Sequence, residues 1–240
     1  MKQATLIIKE NIPLTPFVYR MRLEGDPGER PGQFVNISVL GLFLRRPISV
    51  CDYDGETLTL IYKVVGKGTV AMSRMLPGEK LDALCGLGNG YDLAVPCEKP
   101  LLAGGGVGVP PLYFLAKELI KKGKSVSVVL GFNTKDEVFY EEEFRALGCS
   151  VTVAAADGSY GVKGFVTDAL PDKYDYFYAC GPMPMLRALY AAADIPGEMS
   201  FEERMGCGFG ACMGCSMQTK SGPKRVCKEG PVFKKEELLW

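Results

Sequence analysis

Residues 99–123 read KPLLAGGGVGVPPLYFLAKELIKKG, and three textures follow one another in that stretch. Pro100–Ala103 begins as a short apolar run, the pattern of a buried strand. Gly104, Gly105, Gly106 and Gly108 then make a turn, and from Pro110 onward apolar and lysine-rich positions recur at amphipathic-helix spacing. A glycine turn between a buried strand and a helix is the setting in which backbone N–H groups cradle a phosphate. Glycine also serves any tight strand-to-helix turn, so the run alone leaves both readings open. Pro110 and Pro111 replace the third glycine of the usual dinucleotide fingerprint and fall where a helix tolerates proline.

Downstream the alternation continues. SVSVVLGF, CSVTVAAAD and YDYFYACGP read as strands, while EEEFRALG and MPMLRALYAAADI read as helices. Strands alternating with helices predict a doubly wound parallel sheet. Upstream the texture differs. TLIIKENI, PFVYRMRLEG, GQFVNISV, RPISVCDY and TLTLIYKVVG are short β-prone runs between Pro, Gly and Asp turns, which predicts an antiparallel barrel or sandwich. After Pro196 the chain reads as irregular and rich in Gly and Cys. We expect a β plus α/β protein in three units: a β domain at 1–96, an α/β domain at 97–196 and a small C-terminal unit at 197–240.

Composition narrows the chemistry. The 240 residues carry 28 Lys plus Arg against 28 Asp plus Glu, so nothing suggests an electrostatic grip on nucleic acid or a membrane. The N-terminus lacks the unbroken apolar core of a signal peptide, and a cytoplasmic protein is expected. There is no histidine, which excludes Ser-His and Cys-His nucleophiles and mixed Cys/His metal sites. A bound cofactor is then the simplest source of reactivity.

Nine cysteines in such a chain do not read as a disulfide framework. Cys51, Cys85, Cys97, Cys149 and Cys180 are scattered through apolar sequence, as small buried hydrophobes would be. The other four, Cys207, Cys212, Cys215 and Cys227, are spaced C-x4-C-x2-C-x11-C. That is the ligand spacing of plant-type [2Fe–2S] clusters, whereas structural zinc sites usually show two C-x2-C knuckles. Gly206, Gly208, Gly210 and Gly214 let the loop wrap tightly and turn N–H groups toward sulfur. A zinc site and an unmetallated redox loop are the weaker readings.

Two further segments bear on ligands. RRPISV places Arg46 three residues before Ser49 on an extended segment, a cation and a hydroxyl able to grip a pyrophosphate. Ala179–Pro182, ACGP, ends a buried strand, where open α/β sheets bind ligands. On its own RRPISV is better explained by a solvated Arg and a strand Ser, and ACGP equally well by an ordinary turn.

Taken together, RRPIS, AGGGVGVPPL and ACGP resemble the ferredoxin–NADP reductase superfamily over residues 1 to about 195. With DGSYGVKGFVTD and EERMGCGFGACMGC, the whole chain is similar to the electron-transfer subunits of NAD-dependent (class 1B) dihydroorotate dehydrogenases. The resemblance implies a flavin-binding barrel, a nicotinamide domain and a [2Fe–2S] domain. It places Arg46, Pro47, Ile48 and Ser49 on FAD, with Ile48 where many reductases have a stacking tyrosine. Ile61, Tyr62 and Lys63 match the second flavin segment, and Gly68 and Thr69 the third. Gly104, Gly105, Gly106, Gly108, Gly181 and Pro182 would line the NAD(H) site, with Cys180 near the nicotinamide as the catalytic candidate. Cys207, Cys212, Cys215 and Cys227 would hold the cluster. The implied chemistry is hydride transfer from NADH to FAD, division into single electrons, and their passage through the cluster. The implied partner is an FMN-containing catalytic subunit that oxidises dihydroorotate, in a 2+2 heterotetramer.

Competing readings are a reductase subunit of a sulfite reductase, sulfide dehydrogenase or hydrogenase, and a zinc-stabilised nucleotide-binding regulator. Asp157, just after a predicted strand, is placed to bind the adenosine ribose and favour NADH over NADPH. An Asp-Gly turn without a ligand is the alternative. Phe209 and Met213, bulky in a loop of small residues, are expected to face the partner or to cover the cluster, and Trp240 either to anchor the partner or to pack at home.

Overall fold

The computed structural model describes residues 1–25 and 29–240. Six strands form a closed antiparallel barrel: β1 (Lys2–Pro13), β2 (Val18–Glu24), β3 (Phe34–Ile37), β4 (Arg46–Tyr53), β5 (Thr57–Lys63) and β6 (Lys80–Leu87). Their order round the barrel is β1-β2-β5-β4-β3-β6. The strand that closes it, β6, was missed by the sequence reading. Burial alternates strictly along KLDALCGL, and Leu81, Ala83 and Cys85 face the barrel core. Helix α1 (Lys67–Ser73) sits between β5 and β6 and sends Met72 into the same core.

A seven-stranded sheet follows, built from β7 (Pro100–Gly105), β8 (Ser127–Phe132), β9 (Ser150–Ala155), β10 (Val162–Lys163), β11 (Tyr176–Cys180), β12 (Gly197–Ser200) and, near the end of the chain, β15 (Val232–Lys234). Its order is β10-β9-β8-β7-β11-β12-β15, parallel except for β15. Both faces are covered. Val128, Leu130 and Tyr178 point to one side, under α2 (Pro110–Lys121) and α3 (Glu141–Ala146). Val129, Phe177 and Ala179 point to the other, under α4 (Met183–Ala192). Such strands read as continuous apolar runs because neither face meets water.

The segment after Pro196 is more regular than its composition suggested. It supplies β12 and β15 to the sheet, and between them the hairpin of β13 (Ser216–Thr219) and β14 (Gly222–Arg225). Trp240 packs edge-on against Tyr190 and Phe201, with the Arg187 guanidinium 5.4 Å over its ring. The tail therefore packs on its own protein.

Barrel and sheet share their packing. Phe114 of α2 is buried in the barrel core, and Cys51 and Ile61 of the barrel are buried in the core beneath α2. Lys117 of α2 is bonded to Asp52 of β4 at 2.8 Å, with both side chains three-quarters buried.

Candidate functional site

The first surface is on the barrel. Arg46, Pro47, Ile48 and Ser49 open β4 and are all half-buried; Pro47 and Ser49 share the outward face of Asn36 and Phe34, while Ile48 packs against the barrel core beside Val50. The Arg46 guanidinium lies across the start of α1. A Cβ on Gly68 would sit 2.0 Å from Arg46 Nε, so a larger residue there would displace the guanidinium. Thr69 Oγ1 accepts the backbone N–H groups of Val65 at 2.9 Å and Gly66 at 3.2 Å, and donates to the Gly66 carbonyl. Its hydroxyl thus shapes the turn that carries Gly68. Asn11 ties this helix to β1 by donating to the carbonyls of Met72 and Met75, and accepts the Tyr62 hydroxyl at 2.9 Å. Tyr62 and Ile61 are 2% and 3% exposed, so their side chains belong to the cores and only their backbone faces outward. Lys63 is exposed. A cation and a hydroxyl beside a glycine-opened turn suit a pyrophosphate, and the residues fit FAD. A larger cleft, about 460 Å³ between Tyr53, Phe114 and Lys117, lies at the opposite end of β4 and is not this cradle.

The second surface is at the carboxyl edge of the sheet. Gly104 and Gly105 end β7, Gly106 (φ 52°) and Gly108 form a 3-10 turn, and Pro110 and Pro111 begin α2. The glycines are packing residues as well as turn residues. A Cβ on Gly108 would lie 2.2 Å from the Cys180 carbonyl oxygen, and one on Gly105 3.0 Å from Pro182 Cδ. The turn and the Cys180–Pro182 segment therefore close on each other at the junction of β7 and β11. Gly181 faces Gly105 N, and a Cβ there would stand 3.1 Å away. Cys180 is half-buried, and burial pushes its thiol up to about 12 against the opposing effect of the Ser200 side chain. It is a neutral thiol, fit to pack or donate a weak hydrogen bond and unfit as a nucleophile.

Asp157 follows β9, two strands or about 10 Å across the sheet from β7. Its Oδ1 accepts the Ser159 hydroxyl at 2.6 Å and the Ser159 N–H at 2.9 Å, and these bonds hold its carboxyl below the usual range. Ser159 Oγ in turn accepts the Lys135 N–H at 2.8 Å, joining the loops after β8 and β9. The carboxylate is exposed and ionised, with Oδ2 outside this turn. It is both a turn residue and an available acceptor.

The third surface is the cysteine loop. Cys207 interacts with Cys212, and Cys227 with Cys215 and also with Cys207. Cys212 is exposed and Cys207 half-buried, whereas Cys215 and Cys227 are each 2% exposed. Ala211 and Cys212 direct N–H groups at Cys207 Sγ, 3.2 and 3.4 Å away, and Cys227 N–H points at Cys215 Sγ at 3.4 Å. Burial raises the Cys207 thiol, but the N–H groups of Phe209, Cys212 and Ala211 outweigh it and bring it down to about 6. Among the described residues no three Cys, Asp or Glu side chains converge on one point. Four cysteine sulfurs with N–H donors aimed at them would fit an iron–sulfur cluster, whose charge those donors would stabilise. Gly208 (φ 79°) and Gly210 (φ 92°) are left-handed, and a Cβ on either would strike Asn36 or Lys228. Arg225 of β14 holds the Gly210 carbonyl.

Asn36 escaped the sequence reading. It is 1% exposed on the outward face of β3, donates to the Cys207 carbonyl at 3.3 Å, and pairs across the ladder with Pro47. It thus lies between the Arg46–Ser49 segment and the first cysteine. A lone asparagine in GQFVNISV carries no signal of that role; only the folded register reveals it.

Comparison with known proteins agrees with these surfaces. A family model for the iron–sulfur cluster binding domain of dihydroorotate dehydrogenase B matches residues 202–239, and one for an oxidoreductase NAD-binding domain matches residues 102–190. The chain is 45% identical to the dihydroorotate dehydrogenase B (NAD+) electron transfer subunit of Geobacillus sp. (strain WCH70), over 100% of this chain and 99% of the other. It is 44% identical to that of Fusobacterium nucleatum subsp. nucleatum, over 97% of each. Among solved structures, an NADH-dependent reduced ferredoxin–NADP oxidoreductase superposes with a TM-score of 0.89 at 32% identity, covering 99% of this chain and 90% of that one. A cytochrome P450 reductase from Amycolatopsis shares the fold, with a TM-score of 0.70 at 21% identity over 80% of this chain and 65% of that one.

Proposed function

Because this chain belongs to the family of dihydroorotate dehydrogenase B (NAD+) electron transfer subunits, we infer that it carries electrons between NAD(H) and a catalytic subunit that interconverts dihydroorotate and orotate in pyrimidine biosynthesis. FAD, a [2Fe–2S] cluster and NAD(H) are its cofactors and substrate. When bound, they supply hydride acceptance, the change from electron pairs to single electrons, and one-electron transfer.

The chain itself supplies position. Arg46 would hold the FAD pyrophosphate and Ser49 the flavin ring, with Pro47, Ile48 and the Ile61–Lys63 segment completing the site. Gly68 and Thr69 keep the α1 turn open to the phosphates. Gly104 to Gly108, with Gly181 and Pro182, admit the nicotinamide nucleotide closely, and Cys180 excludes water beside the nicotinamide as a neutral thiol. Asp157 accepts from the adenosine ribose. Cys207, Cys212, Cys215 and Cys227 hold the cluster.

The catalytic subunit is taken to hold FMN, to assemble with this chain as a 2+2 heterotetramer, and to work in the cytoplasm. Among the described residues no helix is long and apolar enough to cross a membrane. The three units are placed at 1–96, 97–196 and 197–240, with β12 and β15 lending the last unit's ends to the sheet. The observation that carries the reading is the set of four cysteines, two outside and two inside, on a loop bonded to the barrel by Asn36.

The test is reconstitution. The chain purified with its catalytic subunit should reduce NAD+ at the expense of dihydroorotate. Cys212→Ser should abolish that activity and the cluster spectrum, while FAD stays bound and NADH still reduces it. Loss of FAD with a normal cluster would sink the assignment. A complex inactive with dihydroorotate but active with sulfite, sulfide or hydrogen would favour the competing reductase-subunit readings.

A further inference from the structure

Among the described residues, the turn between β3 and β4 is the most exposed apolar stretch. Leu40 is 99% and Phe43 100% exposed, and Leu44 is 45% exposed. Solvent gives no reason for three large apolar side chains within five residues. Position supplies one. Along β3, Val35 and Ile37 face the barrel core while Phe34 and Asn36 face outward. Phe34 packs in the core that holds Cys215, Cys227 and Phe201. Two residues on, about 7 Å along the strand, Asn36 holds the Cys207 carbonyl. The ladder ends at the pair Ile37 and Arg46, and the same direction leads straight into the tip. The tip is therefore the continuation of the strand that holds the cysteine loop at Cys207. In that loop Phe209 is 42% and Met213 53% exposed, and Cys212 is open to solvent. The base of the tip is rigid: Arg45 pairs with Asp82 and donates to the carbonyls of Asn36 at 3.2 Å and Asp82 at 3.3 Å.

We propose that the Leu40–Leu44 tip and the Phe209–Met213 loop form one docking surface for the catalytic subunit, with Phe43 as the anchor entering an apolar cleft of that subunit. The proposal rests on the function inferred above. Electrons must leave by a contact near the outer cysteine pair, so whatever covers the tip also covers the exit beside it. A second copy of this chain on the tip would block that exit, which argues for the catalytic subunit as the occupant. A rigid base lowers the entropy cost of seating an aromatic anchor.

The test compares the unmodified chain, the double variant Leu40→Ser/Phe43→Ser, and Phe209→Ala. Each is loaded with its cofactors and titrated against the purified catalytic subunit, with ferricyanide reduction by NADH followed separately. The tip variant should bind at least tenfold more weakly, with ferricyanide reduction and the visible spectrum unchanged. Normal binding by the tip variant, with weakened binding by Phe209→Ala, overturns the tip and leaves the function standing. An unmodified chain that reduces ferricyanide but never binds the catalytic subunit overturns both. A tip variant that turns a dimer of this chain into monomers while binding the catalytic subunit normally assigns the tip to self-association and also overturns the proposal.

Discussion

The side-chain amide of Asn36, in the barrel, donates to the main-chain carbonyl of Cys207, in the cysteine loop, across 171 positions of sequence. Gly208 makes room for it, since a Cβ there would lie 2.3 Å from Asn36 Nδ2. The first cysteine is thus placed by a barrel strand as well as by its own loop. Asn36→Ala should leave that carbonyl without its partner and cost about 1–2 kcal/mol locally. The cluster should then be lost to a chelator several-fold faster while FAD absorbance is retained. An unchanged rate of loss would show that the bond does not hold the loop.

Gly108 meets the end of β11 with no space for a methyl group. Gly108→Ala must push the glycine turn and the Cys180–Pro182 segment apart, at a cost of roughly 1–3 kcal/mol for overpacking. Denaturant unfolding should register that loss, and KM for NADH should rise. The cluster and flavin spectra should be unaffected, because neither surface includes this contact.

Asp157 stands exposed and ionised, its Oδ1 engaged by Ser159. A carboxylate there repels the 2′-phosphate of NADPH, so kcat/KM should favour NADH. Asp157→Asn should narrow the ratio about tenfold, or about 1.4 kcal/mol. Asparagine keeps the turn, since its side-chain oxygen still accepts from Ser159. Equal kcat/KM for the two nucleotides in the unmodified protein would count against the assignment.

Glu198 of β12 is 3% exposed in a cleft with Asn89, Tyr91 and Lys234. Burial raises its carboxyl from 4.5 to about 7, against the opposing hydrogen bond from the Asp92 N–H. Between those values the folded protein holds a proton that the unfolded chain has released, so stability falls as pH rises through the window. Glu198→Gln should be as stable as the parent below about pH 4 and more stable at pH 8, by up to about 3 kcal/mol. Denaturant midpoints at the two pH values decide it. Parallel pH curves for parent and variant would rule Glu198 out as the source.

What could be read from the sequence was whatever depends on near neighbours. The strand, glycine turn and helix of residues 100–121 and the spacing of the four cysteines are local patterns, set by backbone geometry and by ligand chemistry. The barrel strands were legible for the same reason, and β6 was overlooked although Leu81, Ala83 and Cys85 fall at alternate positions. What escaped depends on register between distant segments. Nothing local marks Phe114 as a plug for the barrel core, or Tyr62 as a core side chain that leaves only backbone for a ligand. Nor does composition reveal that the glycine-rich segment after Pro196 returns to the sheet as β15. Its three residues are too few to show a period, and only β12 gives them a partner.

That return of the chain shapes more than the sheet. Phe201 N–H donates to the Pro231 carbonyl at 2.9 Å, where β12 gives way to the cysteine loop and the loop gives way to β15. Residues 202–230 therefore leave and re-enter through a single gate between neighbouring strands. A segment whose two ends meet can be lengthened, traded or excised with little disturbance to its host. The order of the sheet is thus independent of what lies between the two ends, and the loop is tied to the barrel by the side chains of Asn36 and Phe34.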